Sequence, residues 1–460
     1  MSVVSNIGGF VFGALEQLVN SIAHRVVLPT DLISPVPVGD VLEPRSDARR
    51  AGADLVEDLV ERLSGVHRNR DADELRDARP RLTEGDVVGQ GPGTVTRVTF
   101  EADAPSANWG TTGRESGLVA VYVNGRYHST VVVLHERDGS YVVNLGSLPA
   151  GRHHVDLRAA TDLAPEANVG LRAGGLRGTT ITGEAAQVEA HAPIFELRDT
   201  DPGRRHSVGR NDTPMLIVPA VTRHADGSKT IEYRVVFSNE DGGTKTTDLM
   251  DKYGRTADGE PMYRVTLDAQ GAVTAATYQA PVHRWLPFEG AHAGTRPILR
   301  ISTANNLTSA RTGTPGAERW SEATTGIVGP GVSDFEVMRT NPWTWQVMAK
   351  ELVREGKTAL TQAARGANRI GDPRRYVYLD MLTDVAIAAI RVAGGLEVRL
   401  ADGRTVLAKV GAKLGTGNRQ VAIELPDGAT AEAVRGVALI GIRAIVLDTS
   451  YAMRELPAAA

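Results

Sequence analysis

Four carboxylates bracket a glycine turn in the stretch VVFSNEDGGTKTTDLMDKYGRTADGEPMYRVTL, residues 235–267. Glu240 and Asp241 follow an alternating, strand-like run, and Asp258 and Glu260 immediately precede the next one, with Asp248 and Asp251 between. Acids at the ends of neighbouring strands can meet at one rim, because adjacent strands bring their loops to one end of a sandwich. Two carboxylates flanking a glycosidic bond act as acid and base, and their separation sets the stereochemical outcome. The same oxygens, with backbone carbonyls, suit a hard cation such as calcium. Glu240, Asp241, Asp258 and Glu260 are therefore candidates for catalysis and for metal binding. Their spacing does not match the D-x-[DN]-x-[DN]-G calcium loop. Acids beside glycine are also ordinary turn formers, with Asn239 and Asp241 bonding their own backbone, and that reading needs no function at all. Arg255, inside KYGRTADGE, is placed either to pair with one of these acids or to meet a substrate.

Histidine offers little metal chemistry. There are 11, but no H-E-x-x-H. His153 and His154 are adjacent on a strand pattern and face opposite ways. His283 and His292 flank RWLPFEGA, and His283 joins the acids as a catalytic candidate. Trp109, in the polar loop SANWGTTGRES, has no obvious packing role, so it is a candidate ligand platform, as are Trp285 and Phe288. Trp343 and Trp345 lie near a helix start and are expected to pack.

Several chemistries are excluded. Cysteine is absent, so disulfides, thiolate nucleophiles and Cys-ligated zinc are ruled out. The net charge of −4 leaves no excess of basic residues to neutralise phosphates, which disfavours nucleic acid as a partner. G-x-S-x-G is missing, the Gly356-Lys357-Thr358 run lacks the upstream glycine of a phosphate loop, and the glycines at 89–93 do not fit a dinucleotide fingerprint. No apolar run is long enough to span a bilayer as a helix.

The elements that must position these residues are mostly strands. In the 460 residues, 42% are hydrophobic but only 5% aromatic, so Val, Leu, Ala and Ile carry the core. At the N-terminus, Ile7, Phe10, Val11, Leu15, Leu18, Val19 and Ile22 recur at helical spacing. The segment lacks a basic n-region, so no signal peptide is expected; residues 5–25 read as a helix that docks on the body of the protein or on a partner protein. A second helix follows Ser46, and residues 1–91 are expected to be a helical arm and linker. From residue 92 the period becomes two. Asn124-Gly125 marks a two-residue hairpin in SGLVAVYVNGRYHSTVVVLHE, and 92–188 is expected to form a first β-sandwich. Residues 189–315 are expected to form a second sandwich carrying the acidic loops. Residues 316–371 read as a helical connector, with Asn341 as cap, Pro342 at the first helical position and Gly356 as stop. Residues 372–460 return to strands, with a hairpin at Asp402-Gly403, as a C-terminal β domain that can complete the second sandwich. The fold class expected is thus mainly β, a multi-domain β-sandwich architecture of jelly-roll or immunoglobulin-like kind, with an N-terminal helical arm and a helical connector.

The run from HAPIFELRD to ISTANN (191–306), with NEDGGT and YGRT, followed by NPWTWQVMAKELVREG and DPRRYVYLD, resembles a group of large bacterial proteins, mostly exported, that has no assigned activity. The resemblance covers over half of the chain, and it supplies no catalytic residue. It implies an extracellular or cell-envelope location. The strand-and-turn layout of VYVNGRYHSTVVV and SLPAGRHHVDLR is similar to accessory glycan-binding sandwiches, a likeness of fold only. Together these readings point to an extracytoplasmic binding or scaffold protein that recognises a glycan or envelope polymer. One alternative is a carbohydrate-active hydrolase or lyase using the loop carboxylates. The other is a structural subunit docking through its N-terminal helix.

Overall fold

The computed structural model describes residues 73–163, 168–197, 211–240, 242, 244–303, 305–310, 318–359, 366–383, 396–408, 417–425, 434–439 and 445–449. The expected helix at 5–25, the helix after Ser46 and Asp241 lie outside the described residues. The chain is mainly β, a multi-sheet sandwich of antiparallel sheets with few helices.

The first sandwich comprises β1 (Arg81–Gly89), β2 (Val95–Asp103), β3 (Gly117–Val123), β4 (Arg126–Val133), β5 (Ser140–Gly146), β6 (Gly151–Ala159) and β7 (Arg172–Ile181). A four-stranded sheet in the order β1-β6-β3-β4 packs on a three-stranded sheet, β5-β2-β7. Their inner faces supply one core, including Val98, Phe100, Val119, Val121, Val133, Tyr141, Val155 and Leu157. The β3–β4 turn is the expected hairpin: Asn124 and Gly125 have φ of 51° and 81°, the left-handed pair that matches the twist of the flanking strands.

Two features depart from simple alternation. Residues 81–89, read from sequence as linker, form β1 and pair with β6 along their length. The strand is charged because it lies at a sheet edge, where Arg81, Glu84 and Asp86 blunt further pairing and only Val87 and Gly89 are buried. By contrast, β3 is buried on both faces from Gly117 to Tyr122. Leu118, Ala120 and Tyr122 belong to a second, larger core that contains Phe195, Trp320, Tyr233 and Trp345.

That larger core is assembled by α1 (Gly183–His191), β8 (Ile194–Glu196), β9 (Pro214–Arg223), β10 (Lys229–Phe237), α2 (Thr246–Tyr253), β11 (Gly259–Leu267), β12 (Val273–Ala280), β13 (Arg284–Pro287), β14 (His292–Ala293), β15 (Arg296–Ile301), β16 (Thr308–Ser309) and β17 (Arg319–Trp320). Strands β9 to β13 form an antiparallel meander, while β8 pairs in parallel with β15 and antiparallel with β17. Two helices follow, α3 (Asp334–Thr340) and α4 (Trp343–Arg354). Ser333 caps α3 by accepting the Glu336 N–H at 3.2 Å. Gly356, at φ 65°, ends α4, and the Lys357 N–H returns to the Leu352 carbonyl at 2.8 Å. The α4 start differs slightly from expectation: Asn341 closes α3 and Pro342 occupies the cap position. Finally β18 (Tyr376–Thr383) pairs with β21 (Gly417–Glu424) and β23 (Ile445–Thr449), and β19 (Leu396–Leu400) pairs with β20 (Thr405–Ala408) and β22 (Val434–Leu439). Among the described residues no helix is long and apolar enough to cross a membrane.

Candidate functional site

The register of β10 and β11 brings the acids together. Val235 and Val236 lie opposite Glu260 and Gly259. Pairing continues past the strand ends: the Phe237 N–H donates to the Asp258 carbonyl at 2.8 Å and the Glu240 N–H to the Thr256 carbonyl at 3.1 Å. The residues between fold into α2, so Asp248 and Asp251 sit on a helix rather than in a loop. Gly254, left-handed at φ 66°, ends α2 and lets the chain turn back into β11.

Glu240, Asp258 and Glu260 thereby line one cleft of about 200 Å³. Its walls are completed by Arg234, Tyr253, Arg255, Gly259, Ser333, Asp334, Phe335 and Gln420. Gln420 comes from β21, against which α2 packs. Asp334, at the start of α3, accepts from Arg234 Nη1 at 2.8 Å and Arg255 Nη2 at 2.5 Å. Burial by itself would push the Asp334 carboxyl up, but the two guanidiniums outweigh it and hold the group below the usual carboxylate range. Glycine is required at 259, because a Cβ there would lie 2.1 Å from Asp334 Oδ2.

Each of the three acids also faces a carboxamide. Asn306, left-handed at φ 54°, donates to Asp258 Oδ2 at 3.0 Å. Asn305 and Gln279, with their amide nitrogens turned toward the acids, donate to Glu240 Oε1 at 2.9 Å and Glu260 Oε2 at 2.8 Å. Asp258 is only 5% exposed. Burial pushes its carboxyl well above the ordinary range, Glu260 and Glu240 push it further, and Asn306 and Arg255 offset this only in part. The cleft thus sets a buried carboxyl, whose ionisation its surroundings disfavour, beside two further acids. Among the described residues, no three His, Asp or Glu side chains are grouped as a metal ion would need.

A pH experiment reports on Asp258 directly. A carboxyl whose folded pKa is raised contributes stability below its ordinary range, near pH 4, and loses it as pH rises through the folded value. Asp258→Asn should remove this decline and be more stable than the parent protein on the alkaline side. Chemical denaturation of both proteins across pH 4 to about pH 9 measures the difference. Parallel pH profiles would show that Asp258 is not the group responsible.

The remaining candidates separate. His283 stands behind Glu260, with Nδ1 3.5 Å from Oε2. Trp109 does not offer a ring to a ligand. It is fully buried, its Nε1–H donates to Glu351 Oε2 at 2.9 Å, and the Arg354 guanidinium lies 5.1 Å from its ring centre. Its polar loop is closed over by α4, so the indole is core. Phe288 is also buried, packed edge-on against Tyr263, Tyr278 and His292. Trp285 is half-buried beneath Arg264, 3.8 Å from the ring centre, and lies opposite Gln279 in the β12–β13 pair. Two aromatic residues line the cleft, Phe335, which is buried, and Tyr253, which is 37% exposed. Its signal in the sequence is the Tyr-Gly-Arg at the end of α2, flanked by acids on both sides. Arg234, Asp334, Asn306 and Gln279 carried no local signal.

No family model matches the chain, and no curated protein matches it. Among solved structures it is similar to a GH2 beta-galacturonidase from Eisenbergiella tayi bound to galacturonate, at 11% identity and a TM-score of 0.13, over 37% of this chain and 24% of that one. It is also similar to the M60 catalytic domain with the CBM51-1 and CBM51-2 domains from Clostridium perfringens ZmpB, at 10% identity and a TM-score of 0.14, over 78% of this chain and 31% of that one. The chain therefore spans under a third of either structure, and likenesses this slight carry no functional argument.

Proposed function

We propose that the cleft beside Tyr253 binds a hydroxyl-rich ligand, one ring or chain end of a glycan or envelope polymer, and that the protein serves in recognition or scaffolding. The carrying observation is the partly exposed Tyr253 ring, with the Lys252 ammonium 4.6 Å and the Arg255 guanidinium 5.6 Å from its centre, set beside carboxyl oxygens and guanidinium N–H groups in one cleft. Sugar rings present an apolar face to an aromatic side chain and hydroxyls that both donate and accept. A cleft of about 200 Å³ is smaller than sites for drug-sized ligands and fits a single ring. The resemblance of residues 191–306 to exported proteins supports an extracytoplasmic setting. Titration calorimetry with a panel of soluble oligosaccharides and cell-wall fragments tests the reading. Tyr253→Ala should weaken binding by about 5- to 150-fold, taking the roughly 1–3 kcal/mol that bases gain by stacking on an aromatic side chain as the scale, while stability stays unchanged. If no saccharide binds at millimolar concentration, the reading is wrong.

The burial of Asp258 beside Glu240 and Glu260, which disfavours its ionisation, favours a second reading, a carbohydrate-active hydrolase or lyase. Environments that separate neighbouring carboxyl groups into acid and base are what such chemistry uses. Release of reducing or unsaturated ends from a polysaccharide panel would establish it. Asp258→Asn and Glu240→Gln should then each lower turnover by about 10²–10⁴-fold, and turnover indifferent to both would exclude this cleft as its source.

A further inference from the structure

The connection from β12 to β13, Pro281-Val282-His283, turns without a glycine. Val282 (φ 59°, ψ 32°) and His283 (φ 56°) both adopt the left-handed conformation. Histidine enters that region more readily than most residues, but a β-branched valine there is a genuine outlier. Strain of this kind persists only where the surroundings over-determine it, and it concentrates at functional sites. Here the turn fixes His283 against the back of the cleft. Its Nδ1 lies 3.5 Å from Glu260 Oε2 and 3.3 Å from the Gln279 side-chain oxygen, while 52% of the side chain remains exposed. Gln279 is itself held: its side-chain amide donates to Glu260 Oε2 at 2.8 Å and to the Pro261 carbonyl at 2.9 Å, and its main-chain carbonyl accepts from Thr308 Oγ1 at 2.8 Å. His283 is thus a wet imidazole resting on a carboxylate that faces the cleft.

We propose that His283 is a positioning residue for Glu260, and that it couples the cleft to the pH of the surrounding solution. The inference rests on the reading of the cleft as a ligand site. When protonated, the imidazole holds Glu260 in place as a carboxylate; when neutral, that hold is reduced to hydrogen bonding. The groups facing it include Glu260 from β11 and Gln279 from β12, with Arg284 following it on β13. On the cleft side of Glu260 lie Asp258, Glu240, Arg234 and Arg255. An imidazole ordinarily changes charge between pH 5 and 8. Asp258, whose carboxyl burial raises, is the other group that can titrate upward toward this window, so it is fixed as asparagine in the test.

The test needs no ligand. In the full chain carrying Asp258→Asn, the imidazole resonance of His283 is followed by NMR as a function of pH, with and without Glu260→Gln. Loss of the carboxylate should move the midpoint down by about half a pH unit, the size expected of a half-exposed ion pair. An unmoved midpoint overturns the proposal. Val282→Gly, which keeps the turn but relaxes it, should raise the melting temperature and move the midpoint part of the way toward the Glu260→Gln value. A midpoint unchanged from its parent would show that the strained turn plays no part. With a bound saccharide, His283→Lys should abolish the pH dependence of affinity between pH 5 and 8 while keeping low-pH affinity, and His283→Gln should lose the low-pH affinity. A pH dependence surviving in His283→Lys would place its origin elsewhere. Failure of every saccharide to bind overturns the proposed function, whereas the NMR titration judges the His283–Glu260 pair by itself.

Discussion

Asp334→Asn should lower the unfolding free energy by about 3–5 kcal/mol, the cost of removing one partner from a buried charge cluster. The effect is large because Asp334 answers two guanidiniums, Arg234 and Arg255, whose side chains are 15% and 9% exposed. Asparagine matches the carboxyl in size but leaves two positive charges facing each other across the space beside Gly259. The dependence on pH gives an independent check. A carboxyl whose folded pKa is depressed contributes stability above its ordinary value of 3.8 and loses it as pH falls through the lower, folded value. The parent protein therefore loses this contribution only below the ordinary carboxylate range, and Asp334→Asn has none to lose there. Urea denaturation at pH 7 and about pH 3 separates the outcomes. A variant within 1 kcal/mol of its parent at neutral pH would mean that the arginines find other partners and that Asp334 is not the keystone of this wall.

Trp109→Ala should cost a comparable amount, about 3–5 kcal/mol, through the cavity left by a fully buried indole. The residue is one of the contacts between the first sandwich and α4, beside the Lys350–Glu136 ion pair, and three interactions meet on it, two through the ring and one through its main chain. Its Nε1–H donates to Glu351, its carbonyl accepts from Arg354 Nη1 at 2.6 Å, and the Arg354 guanidinium lies across its face. Glu351 is itself fully buried and also accepts the Asp212 N–H at 2.9 Å. Trp109→Phe keeps most of the packing but withdraws one hydrogen bond from a buried carboxylate, and should cost about 1–3 kcal/mol. Equilibrium denaturation of both variants measures the series. If alanine and phenylalanine prove equally mild, near 0.5 kcal/mol, the indole is dispensable and the loop is held by its ion pairs alone.

The hairpins were legible because their determinants are local. Asn124-Gly125 and Asp402-Gly403 need no tertiary information to turn a chain, and both do so. The gathering of Glu240, Asp258 and Glu260 was legible as a possibility, since acids at the ends of paired strands must share a rim if the register holds. Its completion was not. Asp334 and Gln420 come from distant elements, and nothing near either residue announces that it will face these acids. Trp109 shows the converse. A large ring in a polar loop reads as exposed, yet its cover, Glu351, lies 242 positions along the chain. Strand β1 was hidden for a different reason: an edge strand presents charge by design, and short-range composition cannot tell it from a linker.

The double burial of β3 has a consequence for how this chain can vary over time. Leu118, Ala120 and Tyr122 point away from the first sandwich and into the larger core. A gene fragment encoding that sandwich would carry an oily outer wall into any new host protein, where water would take the place of Phe195 and Trp320. Such a piece cannot be shuffled between proteins as a free-standing bead. Changes on the two sides of this wall must therefore be inherited together, and drift in either half is answerable to the other.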